Sequence, residues 1–165
     1  MIGPALRYIA VAILAMPMAL SVERAMAASF CSNIELLMDA APGNFSDITI
    51  EPGEGSSGRD VTLELEGSAD CAVRQLIRNK SYFCTWEFPH RDANAYATFE
   101  ALAQALQGCI GDRATASDDQ NVNHPDFYDS RIFLLETVKV AVSVKDKSAL
   151  GNTFVFVFVE PRTGT

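Results

Sequence analysis

The sequence is short of the groups on which catalysis and metal binding draw. Only two histidines occur, His90 and His124, so a three-histidine zinc site is excluded and a mixed site would need carboxylates from elsewhere. None of the four cysteines, Cys31, Cys71, Cys84 and Cys109, forms a C-x-x-C pair. Their spacings match no zinc ribbon or finger, and the thioredoxin-like redox motif is missing. No G-x-S-x-G elbow presents a serine nucleophile. The one glycine-rich stretch, PGEGSSG at 52–58, lacks the lysine and following helix of a phosphate loop, and no other cofactor motif is present. Positive charge is scarce as well, with 13 Lys and Arg against 21 Asp and Glu and a formal charge of −8. A field of that sign repels phosphates, which makes nucleic acid and anionic membrane surfaces poor partners. Nor is there an apolar run of the roughly 20 residues that a stable membrane span needs.

What is present begins with an export-type leader. Arg7, the uncharged run Tyr8 to Leu20 and the small-residue site Ala25-Met26-Ala27 follow the order of a cleaved signal peptide. Residues 1–27 are therefore read as a signal and 28–165 as a single exported domain, periplasmic or secreted and soluble after cleavage. All four cysteines fall in the exported part, where an even count reads as two disulfides.

Along the chain, Ser32-Asn-Ile-Glu35 has the form of a capping box and is expected to start a short helix that Pro42-Gly43 ends. Phe45, Ile48 and Ile50 suggest a strand, and Val61, Leu63 and Leu65 alternate with polar residues as its hairpin partner. A second hairpin is expected from CAVRQLIRN and SYFCTWEF, turning at Asn79-Lys80. Tyr82, Cys84, Trp86 and Phe88 then share one face of a strand, which reads as core. Asp92 is placed to cap a helix from Ala93 to about Gln107, with an apolar stripe of Tyr96, Phe99, Leu102, Ala103 and Leu106 and a stop at Gly108. Were this helix to fold back along its preceding strand, Cys109 would approach Cys84. The expected bridges are accordingly Cys84 with Cys109 and Cys31 with Cys71.

Residues 111–130 read as a long polar loop at the rim of the domain. Ile132, Leu134, Val138, Val140, Val142 and Val144 share a parity interrupted at Glu136, where a bulge or strand break is expected. The last strand, TFVFVFVE at 153–160, is apolar on both faces. Such a strand is covered on both sides, as in a sheet buried between layers, or it meets another chain.

Candidate sites follow from these placements. His90, between a strand end and a helix start with Glu87 close in sequence, is the candidate for an acid-base pair. Asp119, Asn121 and Asn123 alternate like the first half of a calcium loop, but His124 stands where the sharp-turn glycine belongs and Ser130 where the bidentate glutamate belongs. Binding candidates are Phe154, Phe156 and Phe158 on the last strand, with Asp126, Phe127 and Tyr128 at the rim. The element order implies an α+β domain: a single antiparallel sheet of about six strands, two helices packed mainly on one face, and disulfides as staples. In topology alone this order resembles small secretion-chaperone-like domains. The functional expectation is a non-catalytic module of inhibitor, immunity or chaperone-like type that binds a protein or small apolar ligand. A small hydrolase-like enzyme built on His90 and a neighbouring carboxylate is the alternative.

Overall fold

From Val138 to Lys147 valines alternate with Lys, Ala and Ser, a period of two that gives a strand one dry face and one polar face. The same period recurs from Lys80 to Pro89 and from Asn152 to Pro161, and these three ten-residue strands are the centre of the molecule. The computed structural model describes residues 18–50, 59–77, 79–119 and 126–162. Its helices are α1 (Met18–Ala40) and α2 (Ala93–Ile110). The strands are β1 (Arg59–Asp60), β2 (Asp70–Gln75), β3 (Lys80–Pro89), β4 (Thr115–Asp118), β5 (Tyr128–Leu134), β6 (Val138–Lys147) and β7 (Asn152–Pro161). All pair antiparallel in the order β1-β2-β3-β7-β6-β5-β4. The sheet is thus single and antiparallel, as expected, with the two-residue β1 and the short β4 as its edges.

Both helices pack on one face. Phe99, Leu106 and Ile110 of α2 and Ile34 and Leu37 of α1 join Tyr82, Cys84 and Trp86 of β3 and the valines of β6 and β7 in one core cluster. The aromatic row of β3 is core, with Tyr82 fully buried. Asp92 caps α2, its carboxylate accepting from the Asn94 amide at 2.8 Å. Arg131 of β5 lies over the Phe99 ring, 5.1 Å from its centroid, and pairs with Glu100, Asp118 and Asp129, tying α2 to the β4 side of the sheet.

The disulfides join Cys31 to Cys109 and Cys71 to Cys84, which corrects both expected pairings. The β2–β3 hairpin turns between Gln75 and Lys80, which pair with each other, rather than at Asn79-Lys80, and this register sets Cys71 directly opposite Cys84 with their Cα atoms 4.1 Å apart. Helix α2 does not retrace β3. It crosses β7 and β6 and delivers the chain to β4 at the far edge, so its last turn meets α1 instead. Gly108 lies inside the helix and Cys109 in its final turn.

Other expectations also move. Helix α1 starts well before Ser32, because nothing in Ala28-Ser29-Phe30 interrupts it. Ser32 therefore donates to the Ala28 carbonyl at 2.9 Å within the helix, and Glu35 pairs with Arg113 instead of capping. Residues 1–17 of the expected leader lie outside the described residues, and the expected leader's end, from Met18, is continuous with α1. The first expected hairpin is reduced to the Thr49–Val61 bridge and β1. Phe45 instead turns left-handed at φ 61° and buries its ring 6.1 Å from that of Tyr82. Burying a Phe ring contributes about 1.5–3 kcal/mol, enough to offset the roughly 1–2 kcal/mol that a left-handed residue costs. The presumed 111–130 loop contains a tight turn at Gly111–Arg113 and strand β4, and it ends at β5. The break near Glu136 is a hairpin turn between β5 and β6, closed by the Leu135 amide donating to the Val138 carbonyl at 2.9 Å. That turn reverses parity, so Phe133 joins the core while Ile132 and Leu134 face away from it.

Candidate functional site: the open face of the sheet

Strand β7 occupies the middle of the sheet, and its two faces differ. Val155, Val157 and Val159 have no exposed surface, whereas Phe154, Phe156 and Phe158 point to the opposite side, remain partly exposed and lie outside the core cluster. Among the described residues neither α1 nor α2 packs on that side, and only the short turn Ser148–Leu150 borders it, through Leu150. The three rings lean together along the strand, with centroids 5.9 and 5.5 Å apart and planes inclined by 24°. This is close to the offset stacking that aromatic quadrupoles favour. The expectation of a strand apolar on both faces holds, but only the valine face is buried.

Register decides what flanks this ridge. Phe158 lies between Phe83 and Ala141, Phe156 between Thr85 and Ser143, and Phe154 between Glu87 and Lys145. Thr85, Ala141 and Ser143 are small, so the rings stand above their neighbours. A concavity of about 470 Å³ opens on the β3 side, bounded by Arg74, Thr85, Glu87 and Leu150. Another of about 210 Å³ opens on the β6 side, bounded by Tyr128, Ile132, Ser143 and Lys139. Charged groups on the face rest on aromatic or ionic partners. The Arg74 guanidinium sits 4.1 Å from the Phe83 centroid, the Lys145 ammonium 5.2 Å from that of Tyr128, and Lys139 bonds Glu160 at 2.6 Å. Burial, and then the neighbouring Lys147, pushes the Lys145 ammonium below the ordinary lysine range.

The acid-base candidates are not brought together. Glu87 projects to the open face and accepts from the Asn152 side-chain amide, while His90 Nε2 is buried without a hydrogen-bond partner. Beside His90 stands a polar network that the sequence reading did not find. Asp146 is fully buried on the helix side of β6. Thr153 Oγ1 donates to its carboxylate at 2.7 Å, Tyr96 Oη lies 3.0 and 3.1 Å from its two oxygens, and Arg91 Nε is 3.4 Å away. Thr153 Oγ1 in turn accepts from the Arg91 amide at 2.7 Å. The partners come from β7 (Thr153), from α2 itself (Tyr96) and from the segment just before it (Arg91), so the network fastens the start of α2 to the sheet. Burial, then the bond to Asp146, holds the Tyr96 hydroxyl above the ordinary tyrosine range.

The remaining candidates separate by face. Tyr128 lies on the open face and Phe127 on the helix side, edge-on to Tyr96 at 5.4 Å. Asp126 accepts from the Ser148 amide and hydroxyl at 3.2 and 2.8 Å. Asp119 lines the smaller concavity; Asn121, Asn123 and His124 lie outside the described residues. Among those described, no group of three or more His, Cys, Asp or Glu side chains gathers as for a metal ion. The open-face residues that the sequence reading missed, Arg74, Phe83, Lys145 and Leu150, had one available signal. The polar parity of β3 and β6 continues across β7 as its phenylalanine row, which only the strand order reveals. No family model matches the chain, and no curated protein or solved structure matches it significantly.

Proposed function

We propose that this chain is a non-catalytic exported binding module that engages a protein or small apolar ligand through the open face of its sheet. The observation that carries this reading is the contrast within β7: valines dry on one side, and a stacked phenylalanine ridge left partly in water on the other. Leaving such a ridge partly in water forfeits part of the burial free energy that each ring would gain in a core, and contiguous apolar surface that stays partly exposed is what interaction sites present. Two disulfides fit an oxidising compartment, in line with the leader-like start of the sequence. No described helix is long and apolar enough to cross a membrane. An inhibitor, immunity or chaperone-like role accords with an acidic chain that keeps one sheet face for a partner.

The test is a native mass spectrum of the protein recovered gently from the export compartment, beside that of Phe156→Asp. A stoichiometric adduct, partner chain or second copy that the variant loses is the expected result. A bare monomer for the wild type would overturn the proposal.

A further inference from the structure

We infer that the occupant of the open face is a second copy of the same chain, stacked sheet to sheet about a two-fold axis. The inference rests on the reading of that face as a binding surface and names what binds there.

Shape is the first argument. The ridge runs along the fourth of seven strands, and concavities flank it on the β3 side and the β6 side. A two-fold axis parallel to β7, lying between two facing sheets, brings the β3 side of one copy over the β6 side of the other. Moving that axis sideways by half a strand spacing offsets the two ridges by about 5 Å. Each ridge then sits in the same concavity of its partner, as an isologous contact requires. The larger concavity, floored by Thr85 and Phe156, is the one with room for the partner's rings. Two sheets packed in this way, about 10 Å apart, form the core of a sandwich, with the helices as outer layers.

Charge is the second. Pairing places Arg74, Lys139, Lys145 and Lys147 on the open face. It also carries Asp60, Asp70, Glu87, Asp119 and Glu160. The face is therefore close to neutral on a chain of net charge −8. A strongly charged partner would call for one sign. A surface that must meet its own copy needs both signs in balance, with the net acidity kept elsewhere.

Area is the third. Five strands, β2 to β5 in sheet order, span about 24 Å, and the long strands run about 30 Å. Because β2 and β5 are shorter than the three ten-residue strands and the offset leaves one strand's width uncovered, roughly 500 Å² per copy meets, about the 1,000 Å² in total that a specific interface has to reach.

Sedimentation of the full exported chain across micromolar concentrations tests the inference. The wild type is expected to sediment as a dimer, and Phe156→Asp to dissociate about tenfold more readily or worse. Leu36→Asp, which alters an exposed leucine of α1, is expected to leave the dimer intact. If Phe156→Asp does not fold, as judged by circular dichroism, Phe156→Ser carries the same expectation. A wild-type monomer throughout, or a dimer that survives both Phe156 substitutions, overturns the inference. Should the wild type be monomeric yet retain a stoichiometric ligand or foreign partner that Phe156→Asp loses, this inference falls while the binding-module reading stands; a bare monomer sinks both.

Discussion

Asp146 shows how a single side chain can fix an element. A buried carboxylate is costly unless its oxygens are bonded, and here Thr153, Tyr96 and Arg91 converge on it from three segments. Asp146→Ala leaves the Thr153 and Tyr96 hydroxyls without their acceptor, and a loss of about 1–3 kcal/mol is expected, the scale of stranding buried hydrogen-bond donors. Asp146→Asn, which keeps one acceptor oxygen, should lose less. Urea denaturation of the three proteins measures both, and equal midpoints would show that the network contributes nothing. The tyrosines supply a second residue-scale expectation. Desolvation, with Glu64 adding to it, raises the Tyr82 hydroxyl above its ordinary value of 10.0, and desolvation with Asp146 does the same for Tyr96. In the unfolded chain both deprotonate near pH 10 while the folded chain still holds its protons, so the unfolded state binds fewer protons there. Stability is therefore complete below pH 10 and falls as the pH climbs beyond it. Lys145, whose ammonium is depressed, acts in the opposite sense just below pH 10.5. Melting curves from pH 8 to 12 check the slope, and Tyr82→Phe should flatten it.

The disulfides act on elements, and their effects separate by loop length. Cys31–Cys109 closes 78 residues and Cys71–Cys84 closes 13. In the chain-entropy model these correspond to about 4.5 and about 3 kcal/mol. Replacing Cys31 and Cys109 together by serine should therefore destabilise more than replacing Cys71 and Cys84. Denaturant unfolding gives the order, and peptide mapping under non-reducing conditions checks the pairing itself. That pairing also marks where the sequence stops being legible. Strand β3, its core row, the capped helix α2 and the one-sided layering could be read from periodicity and caps, because those signals are local. The cysteine partners depended on two non-local facts. One was a hairpin turn centred two residues earlier than Asn79-Lys80 suggested, which shifts the pairing register by four. The other was a helix that crosses the sheet instead of retracing β3. Strand β4, TASD, carries no apolar alternation, so nothing local separated it from a polar loop. The open face was half visible, since the phenylalanine row of β7 was evident while its small and charged neighbours on β3 and β6 became neighbours only through the strand order. Asp146 gave no signal, because an aspartate at a strand end is indistinguishable in sequence from one in water.

At the scale of the molecule, the sheet divides the chain into a dry side built with both helices and a side reserved for contact. That division makes the same deletion unequal in two places. Phe99 of α2 is 2 % exposed at the centre of the core, and Phe99→Ala removes a ring from packed surroundings at a cost of about 3–5 kcal/mol. Phe156→Ala removes a ring that solvent already reaches, from a face outside the core cluster, and should cost about 1 kcal/mol or less in a dilute, monomeric sample. The difference should narrow as concentration rises, because a ring buried between two copies begins to contribute to the stability of both. Urea unfolding of both variants and the wild type, at low and high protein concentration, measures the two effects together. Equal losses in dilute solution would mean that the phenylalanine ridge is core and that the sheet has no open side.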